Sequence, residues 1–215
     1  MNNSFSYNPP SEGIEIIYAD ESILVVNKPA GLLSVPGRGE DKQDCLSSRL
    51  QRDFAGTLVI HRLDMATSGL MVFARGAYAQ SRLSQVFRER DVEKLYVAVV
   101  TGKLEPESGE VNLPISTDWP NRPLHKIDLL AGKPSLTRYR LLSFDNGCSR
   151  VELQPVTGRT HQLRLHMATI GHPILGDMLY GDAASASRLL LHARSLSFAH
   201  PVSGKSLHFD SPPLF

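Results

Sequence analysis

The chain has 215 residues, of which 41% are hydrophobic and 21% charged, so it is long enough for one domain and too apolar for wholesale disorder. Its formal net charge is +1, but residues 61–168 carry fifteen Lys and Arg against eleven Asp and Glu, which favours an anionic partner. The chain has neither an apolar run of membrane-spanning length nor a signal-peptide pattern, so we expect a cytoplasmic protein. Its two cysteines, Cys45 and Cys148, are isolated, so we expect no disulfide framework.

Short apolar runs bounded by Gly, Pro, Asn or Asp predict β-strands along most of the chain. In chain order they cover 15–18, 23–27, 70–74, 95–100, 137–143, 150–154, 189–198 and 206–209. Strands of this number that do not alternate strictly with helices predict an α+β fold with a mixed, mostly antiparallel β-sheet.

Helical spacing of apolar residues predicts two helices, over 77–90 and 161–170, and a weaker pattern suggests a third within 43–54. In the second helix we expect Thr160 to cap the start and Gly171 to end it. No GxGxxG or P-loop motif is present, so no nucleotide cofactor is predicted.

The segment from His61 to Gly69 reads HRLDMATSG and lies between two apolar, strand-like runs. An imidazole, a guanidinium and a carboxylate on one loop held by strands are typical of a functional site. The residues alone also fit an ordinary turn, in which Asp64 accepts hydrogen bonds from local N–H groups.

A second polar cluster runs from Val156 to His166, with helical spacing that puts His161 and Arg164 on a common side. Arg159 and Arg164 could then reach a carboxylate or phosphates, or simply lie solvated on a surface helix. By default we expect Lys28, in the turn after the 23–27 strand, to be solvated, and Tyr96 to be a core aromatic.

Two other kinds of catalytic site are disfavoured. His161 and His166 are five residues apart, a spacing that points them in different directions on a helix, so no metal site is predicted. The chain also lacks the GxSxG elbow of a serine hydrolase.

Five of these landmarks occur in the order found in one family. The HRLD segment with Thr67-Ser68-Gly69, the turn at 27–31 (NKPAG), the strand at 94–96 (KLY), the segment 158–166 (GRTHQLRLH) and the run at 191–193 (LHA) resemble the RluA-type pseudouridine synthases. The resemblance covers residues 14–210 and is strongest to the minimal members of the family that act on two RNAs. It implies one catalytic domain over 1–215, with no separate N-terminal RNA-binding domain.

The resemblance implies an enzyme that isomerises uridine to pseudouridine in RNA without a cofactor or metal. Asp64 would be the catalytic carboxylate, acting on the ribose either as a nucleophile or as a base. Arg164 would pair with Asp64, Tyr96 would pack against the target base, and Arg62 would fill the space that a flipped-out uridine leaves. His61 would contact the RNA backbone or support the loop.

The same resemblance implies a monomer that acts on a hairpin loop of 23S ribosomal RNA and on the anticodon stem-loop of tRNA. Phosphate contacts from Arg122, Lys126 and Arg159 are expected from their charge and loop context. The alternatives are a synthase with a single RNA target, or a non-catalytic RNA-binding module on the same scaffold.

Overall fold

The computed structural model describes residues 6–215, which form one large β-sheet, a separate two-stranded hairpin and three α-helices. The strands are β1 (Glu15–Ala19), β2 (Ile23–Lys28), β3 (Thr57–Val59), β4 (Ser68–Arg75), β5 (Glu93–Thr101), β6 (Ser108–Asn112), β7 (Ile115–Thr117), β8 (His125–Ile127), β9 (Leu136–Asp145), β10 (Cys148–Pro155), β11 (Leu191–Ala199) and β12 (Ser206–Asp210). The helices are α1 (Leu46–Asp53), α2 (Ala77–Glu89) and α3 (Gln162–Thr169), and short 3-10 turns occupy Glu40–Lys42 and Ala183–Ser185.

The main sheet has the strand order β1-β2-β4-β11-β5-β10-β9-β6, with β3 also paired to β4 and β12 to β11. Across residues 6–215 every strand pair is antiparallel except β4 and β11, which run parallel. The predicted α+β class with a mixed, mostly antiparallel sheet is confirmed. None of the helices in the described part of the chain has the length and apolar character needed to cross a bilayer.

Strand β4 is continuously apolar from Leu70 to Ala74 because both of its faces are covered. Leu70, Val72 and Ala74 pack with α2, while Met71 and Phe73 pack with α1 on the opposite face. Helix α3 packs over β5 and β10 and forms a neighbouring cluster. Tyr96 contacts both the α1 cluster and the α3 cluster, so these two helices lie on the same face of the sheet.

The parallel contact between β4 and β11 depends on Gly69. Its φ is +114°, and a Cβ placed there would lie 2.3 Å from the carbonyl oxygen of Ala193. A glycine therefore lets the two central strands approach each other immediately after the HRLD segment.

The predicted start of α3 is wrong. The helix begins at Gln162, and its N-cap is His161, which has a left-handed φ of 55° and makes no side-chain capping bond. Instead of a Thr160 cap, the Gln162 Oε1 atom accepts hydrogen bonds from the Thr157 hydroxyl and the Arg159 N–H. The end is as predicted, because Gly171 follows the helix with a φ of +87°.

Strands β6, β7 and β8 are absent from the sequence-based prediction. Strand β6 is an edge strand with one buried side chain, Val111, and β7 and β8 have three residues each. Such short or polar strands are held by their neighbours and carry little hydrophobic pattern of their own.

Candidate active site

Asp64 lies on the loop between β3 and β4, over the face of the sheet that carries α1 and α3. The two ends of the loop are anchored in different clusters, since Leu63 packs with the α1 cluster and Ala66 with the α3 cluster. The Ser34 hydroxyl donates to the Leu63 carbonyl and accepts from the Leu63 N–H. These contacts hold the carboxylate at the boundary between the two clusters.

Lys28 is fully buried, so the expectation of a solvated lysine is wrong. Its Nζ donates hydrogen bonds of 2.8–3.0 Å to the carbonyl oxygens of Pro29, Leu32 and Met65. Burial lowers the pKa of Lys28 to about 7, while the nearby Asp64 favours the charged form. Lys28 thereby ties the turn after β2 to the residue that follows Asp64.

A cleft of about 490 Å³ opens above the Asp64 loop. Its walls come from four parts of the chain: the loop itself, the segment from α2 to β5, the segment 155–164 that leads into α3, and Leu191 of β11. All five site residues predicted from the sequence line it, namely His61, Arg62, Asp64, Tyr96 and Arg164. The structure thus brings together side chains up to 103 positions apart in the sequence.

Arg164 connects the catalytic candidate to a second, buried carboxylate. Its Nη1 lies 3.3 Å from Asp64 Oδ2, while Nε and Nη2 donate to the two oxygens of Asp177 at 2.8 and 2.6 Å. Arg164 and Asp177 are 5% and 1% exposed, so solvent screens this pair little. Two hydrogen bonds fix the guanidinium on Asp177 and leave one nitrogen facing Asp64.

Asp177 is saturated with hydrogen bonds. Besides the two bonds from Arg164, its Oδ1 accepts from the N–H groups of Leu179 and Tyr180. The Arg164 guanidinium and these N–H groups lower the pKa of Asp177 and outweigh the opposing effect of burial. Asp177 is therefore a carboxylate anchor for Arg164.

His161 and Tyr180 form the other side of the Asp64 environment. His161 Nε2 lies 3.9 Å from Asp64 Oδ2, and its Nδ1 is 2.8 Å from the Tyr180 hydroxyl. The same hydroxyl accepts from the backbone N–H of His125. Burial lowers the pKa of His161 to about 4, so the imidazole is neutral near pH 7.

Tyr96 stands on β5 where the two clusters meet, and its ring forms part of the cleft floor. Burial, with a further effect from Asp64, raises the pKa of the phenol well above its usual value. The phenol ring is therefore an uncharged, flat surface beside the carboxylate. Tyr96 also packs against the core, as expected from the sequence.

His61 and Arg62 differ in their surroundings although they are adjacent. The His61 ring stacks on Phe87 at 4.7 Å, and its Nε2 accepts a hydrogen bond from the Val72 N–H. Burial lowers the pKa of His61 to about 3. Arg62 is exposed at the cleft and makes no hydrogen bond or ion pair with any residue in 6–215.

Of the three cations expected to contact phosphate, one lines the cleft and two lie outside its lining. Arg159 is a cleft residue whose Nε donates to the Pro134 carbonyl. Arg122 lies outside the cleft lining, between β7 and β8, with its guanidinium 3.7 Å from the centre of the exposed Trp119 ring. Lys126 is exposed on β8.

Asp177 and Tyr180 are the contributors to the site that the sequence reading missed. Asp177 follows the predicted helix over 161–170 and was given no role. The sequence signal for Asp177 was its position in a Gly-Asp pair, thirteen residues after Arg164, in a region with few carboxylates. That signal does not say which of several carboxylates an arginine will meet.

Known proteins resemble this chain over most of its length. A family model described as RNA pseudouridylate synthase matches residues 22–169. Dual-specificity RNA pseudouridine synthase RluA of Escherichia coli (strain K12) is 50% identical over 216 residues, and the RluA of Pasteurella multocida (strain Pm70) is 47% identical over 215, each match covering 98% of both chains.

Two solved human structures share the fold. RNA pseudouridylate synthase domain containing 1 superposes with a TM-score of 0.77 at 31% identity, covering 96% of this chain and 86% of that chain. RNA pseudouridylate synthase domain containing 4 gives a TM-score of 0.74 at 26% identity, covering 92% and 88%.

Proposed function

Because the chain belongs to the RNA pseudouridylate synthase family, we propose that it isomerises uridines in two RNAs, a hairpin loop of 23S ribosomal RNA and the anticodon stem-loop of tRNA. Family membership makes it an isomerase that acts on RNA. The two-substrate proposal is supported by relatives named dual-specificity synthases, which are about half identical over nearly the whole chain.

Asp64 is the catalytic carboxylate in this proposal, and the observation that carries it is the Asp64–Arg164–Asp177 arrangement. Oδ2 of Asp64 faces Arg164 and His161, whereas Oδ1 has no hydrogen-bond partner within the described chain. Oδ1 is thus the oxygen available to the ribose. The fixed guanidinium stabilises the ionised carboxylate that either attack on carbon 1′ or removal of a ribose proton requires.

The reaction exchanges one bond to ribose for another. The bond from carbon 1′ to uracil nitrogen 1 breaks, carbon 5 bonds to carbon 1′, nitrogen 1 gains a proton and carbon 5 loses one. The target must leave its stack to reach Asp64. Tyr96 offers a flat, neutral ring against which the base packs, and the unpaired Arg62 is free to occupy the vacated space.

We propose that the single domain over 1–215 recognises RNA through the face that carries the cleft, and that it works as a monomer in the cytoplasm. This proposal is supported by a cleft in which every residue given a role comes from one copy of the chain. Chromatographic size with and without RNA tests the monomer.

Release of tritium from uracil carbon 5 tests the proposed activity, because that hydrogen leaves only when carbon 5 forms the new bond. We expect release from both a tRNA anticodon stem-loop and a 23S fragment containing the target hairpin. Asp64→Asn should abolish tritium release but retain RNA binding. Asp210→Asn changes a surface carboxylate paired with Arg194 and should leave tritium release unchanged. Release from one RNA alone would leave a single-target synthase, and binding with no release from either would leave an RNA-binding module.

A further inference from the structure

Lys94 occupies a place in the cleft that the proposed roles above do not use. It precedes Tyr96 by two residues on β5, and alternate residues of a strand point to the same face. Both side chains line the cleft, about 6.6 Å apart along the strand. Lys94 is therefore a direct neighbour of any base that packs on Tyr96.

The Lys94 ammonium is a partly buried cation with no acceptor of its own. In residues 6–215 it makes neither a hydrogen bond nor an ion pair, and the charged group that acts on it is Arg90, which also lines the cleft. Burial, with the like charge of Arg90, lowers the pKa of Lys94. Like charges so placed repel each other, and an anion bound beside both would offset that repulsion.

The space around the ammonium is shaped by small and flat groups. Its Nζ lies 5.9 Å from the centre of the Phe87 ring, the same ring on which His61 stacks. On the opposite wall, Gly158 presents no side chain, and a Cβ placed there would stand 3.9 Å from Nζ. The ammonium thus lies between the Phe87 ring and the turn before α3, so close to Gly158 that a side chain there would touch it.

We propose that Lys94, with Arg90 beside it, binds a phosphate that flanks the target uridine while the base lies against Tyr96. This inference rests on the proposed function, since it takes an RNA nucleotide as the occupant of the cleft. An ammonium has three donors and no acceptor, which suits phosphate oxygens and not the mixed edge of a base. The contact would hold the flipped nucleotide by its backbone, whatever its sequence context.

The first test compares RNA affinity among lysine variants in the Asp64→Asn background, where no turnover occurs. Lys94→Met should weaken binding of an anticodon stem-loop about tenfold and reduce the slope of log K against log salt by about 0.7. Lys94→Arg keeps the charge and should bind within about threefold of the parent. Lys103→Met is the matched control, because Lys103 lies beyond the other end of β5, where it pairs with Glu105.

The second test places the contact on the RNA. Stem-loops with one uncharged methylphosphonate, immediately 5′ or immediately 3′ of the target uridine, each remove a single phosphate charge. At one of these linkages the Lys94→Met variant should lose no further affinity, because the contact is already missing. The phosphate site would be overturned if Lys94→Met bound the unmodified RNA as tightly as the parent, or if Lys103→Met lost as much affinity as Lys94→Met. It would also be overturned if Lys94→Met lowered the affinity for both modified RNAs as much as it lowers the affinity for the unmodified one. Tritium release by the wild-type enzyme reports the proposed function separately.

Discussion

The buried pair between Arg164 and Asp177 gives the sharpest prediction. Asp177→Asn keeps the size of the side chain but removes its charge and one of its acceptor oxygens. The remaining amide oxygen, in the place of Oδ1, can still accept from the Leu179 and Tyr180 N–H groups and from Arg164 Nη2, which turns the new amide nitrogen towards Arg164 Nε. Nε of the buried guanidinium would then face a donor, and the 3.3 Å contact to Asp64 would be the one ion pair left to Arg164 within residues 6–215.

The size of the effect follows from burial. Removing one partner of a buried ion pair costs about 3–5 kcal/mol because the other charge stays behind without compensation. For a domain of this length each kcal/mol lowers the melting temperature by about 2–4 °C, so a loss of about 3 kcal/mol corresponds to about 6–12 °C. The single-turnover rate should also fall at least tenfold, because Arg164 is no longer held in place beside Asp64.

Thermal unfolding and single-turnover tritium release measure the two effects, with RNA affinity as a third readout. Affinity should change little, because Asp177 is 1% exposed and cannot touch RNA. Asp210→Asn is the control for loss of a carboxylate, since the Arg194–Asp210 pair has side chains 40% and 41% exposed, and such pairs contribute about 0–1 kcal/mol. A melting temperature for Asp177→Asn equal to that of Asp210→Asn, with an unchanged rate, would refute the anchoring role.

Two further predictions concern residues on the Asp64 loop and beside it. Arg62→Ala should leave the free energy of unfolding within about 0.5 kcal/mol of wild type, because the side chain is exposed and unpaired in the described chain. The variant should nevertheless slow single turnover. If denaturant titration showed a loss of stability along with the slower rate, Arg62 would have a structural role instead. Lowering the pH from 6.5 towards 4 should reduce stability, because folded His61 and His161 stay neutral until about pH 3 and 4 while the unfolded chain binds protons near 6.5. The slope of the free energy of unfolding against pH should reach up to about 1.4 kcal/mol per pH unit for each group. In urea titrations at several pH values, His61→Gln should reduce this slope. An unchanged slope in that variant would contradict the reasoning.

Hydrophobic pattern was enough to predict the strands that carry the core and the spacing of α2, since period and burial follow directly from which residues are apolar. The HRLD loop was recognisable because its polar residues are contiguous. The roles of Lys28 and Asp177 were not recognisable. A single lysine or aspartate looks the same in sequence whether its charged group is hydrogen-bonded by water or by the protein. Their burial depends on contacts with the Asp64 loop and with Arg164, which only the folded chain brings together.

The two carboxylates around Arg164 divide its hydrogen bonds unequally, and this division suits the chemistry proposed for Asp64. Asp177 receives the two shorter bonds, at 2.8 and 2.6 Å, and Asp64 receives one at 3.3 Å. Were the fork of the guanidinium to meet Asp64 instead, both of its oxygens would be occupied and neither could approach ribose. By binding the fork, Asp177 leaves Asp64 with a neighbouring positive charge on Oδ2 and an unoccupied Oδ1. A charged carboxylate with one free oxygen is what attack on carbon 1′, or removal of the neighbouring proton, requires.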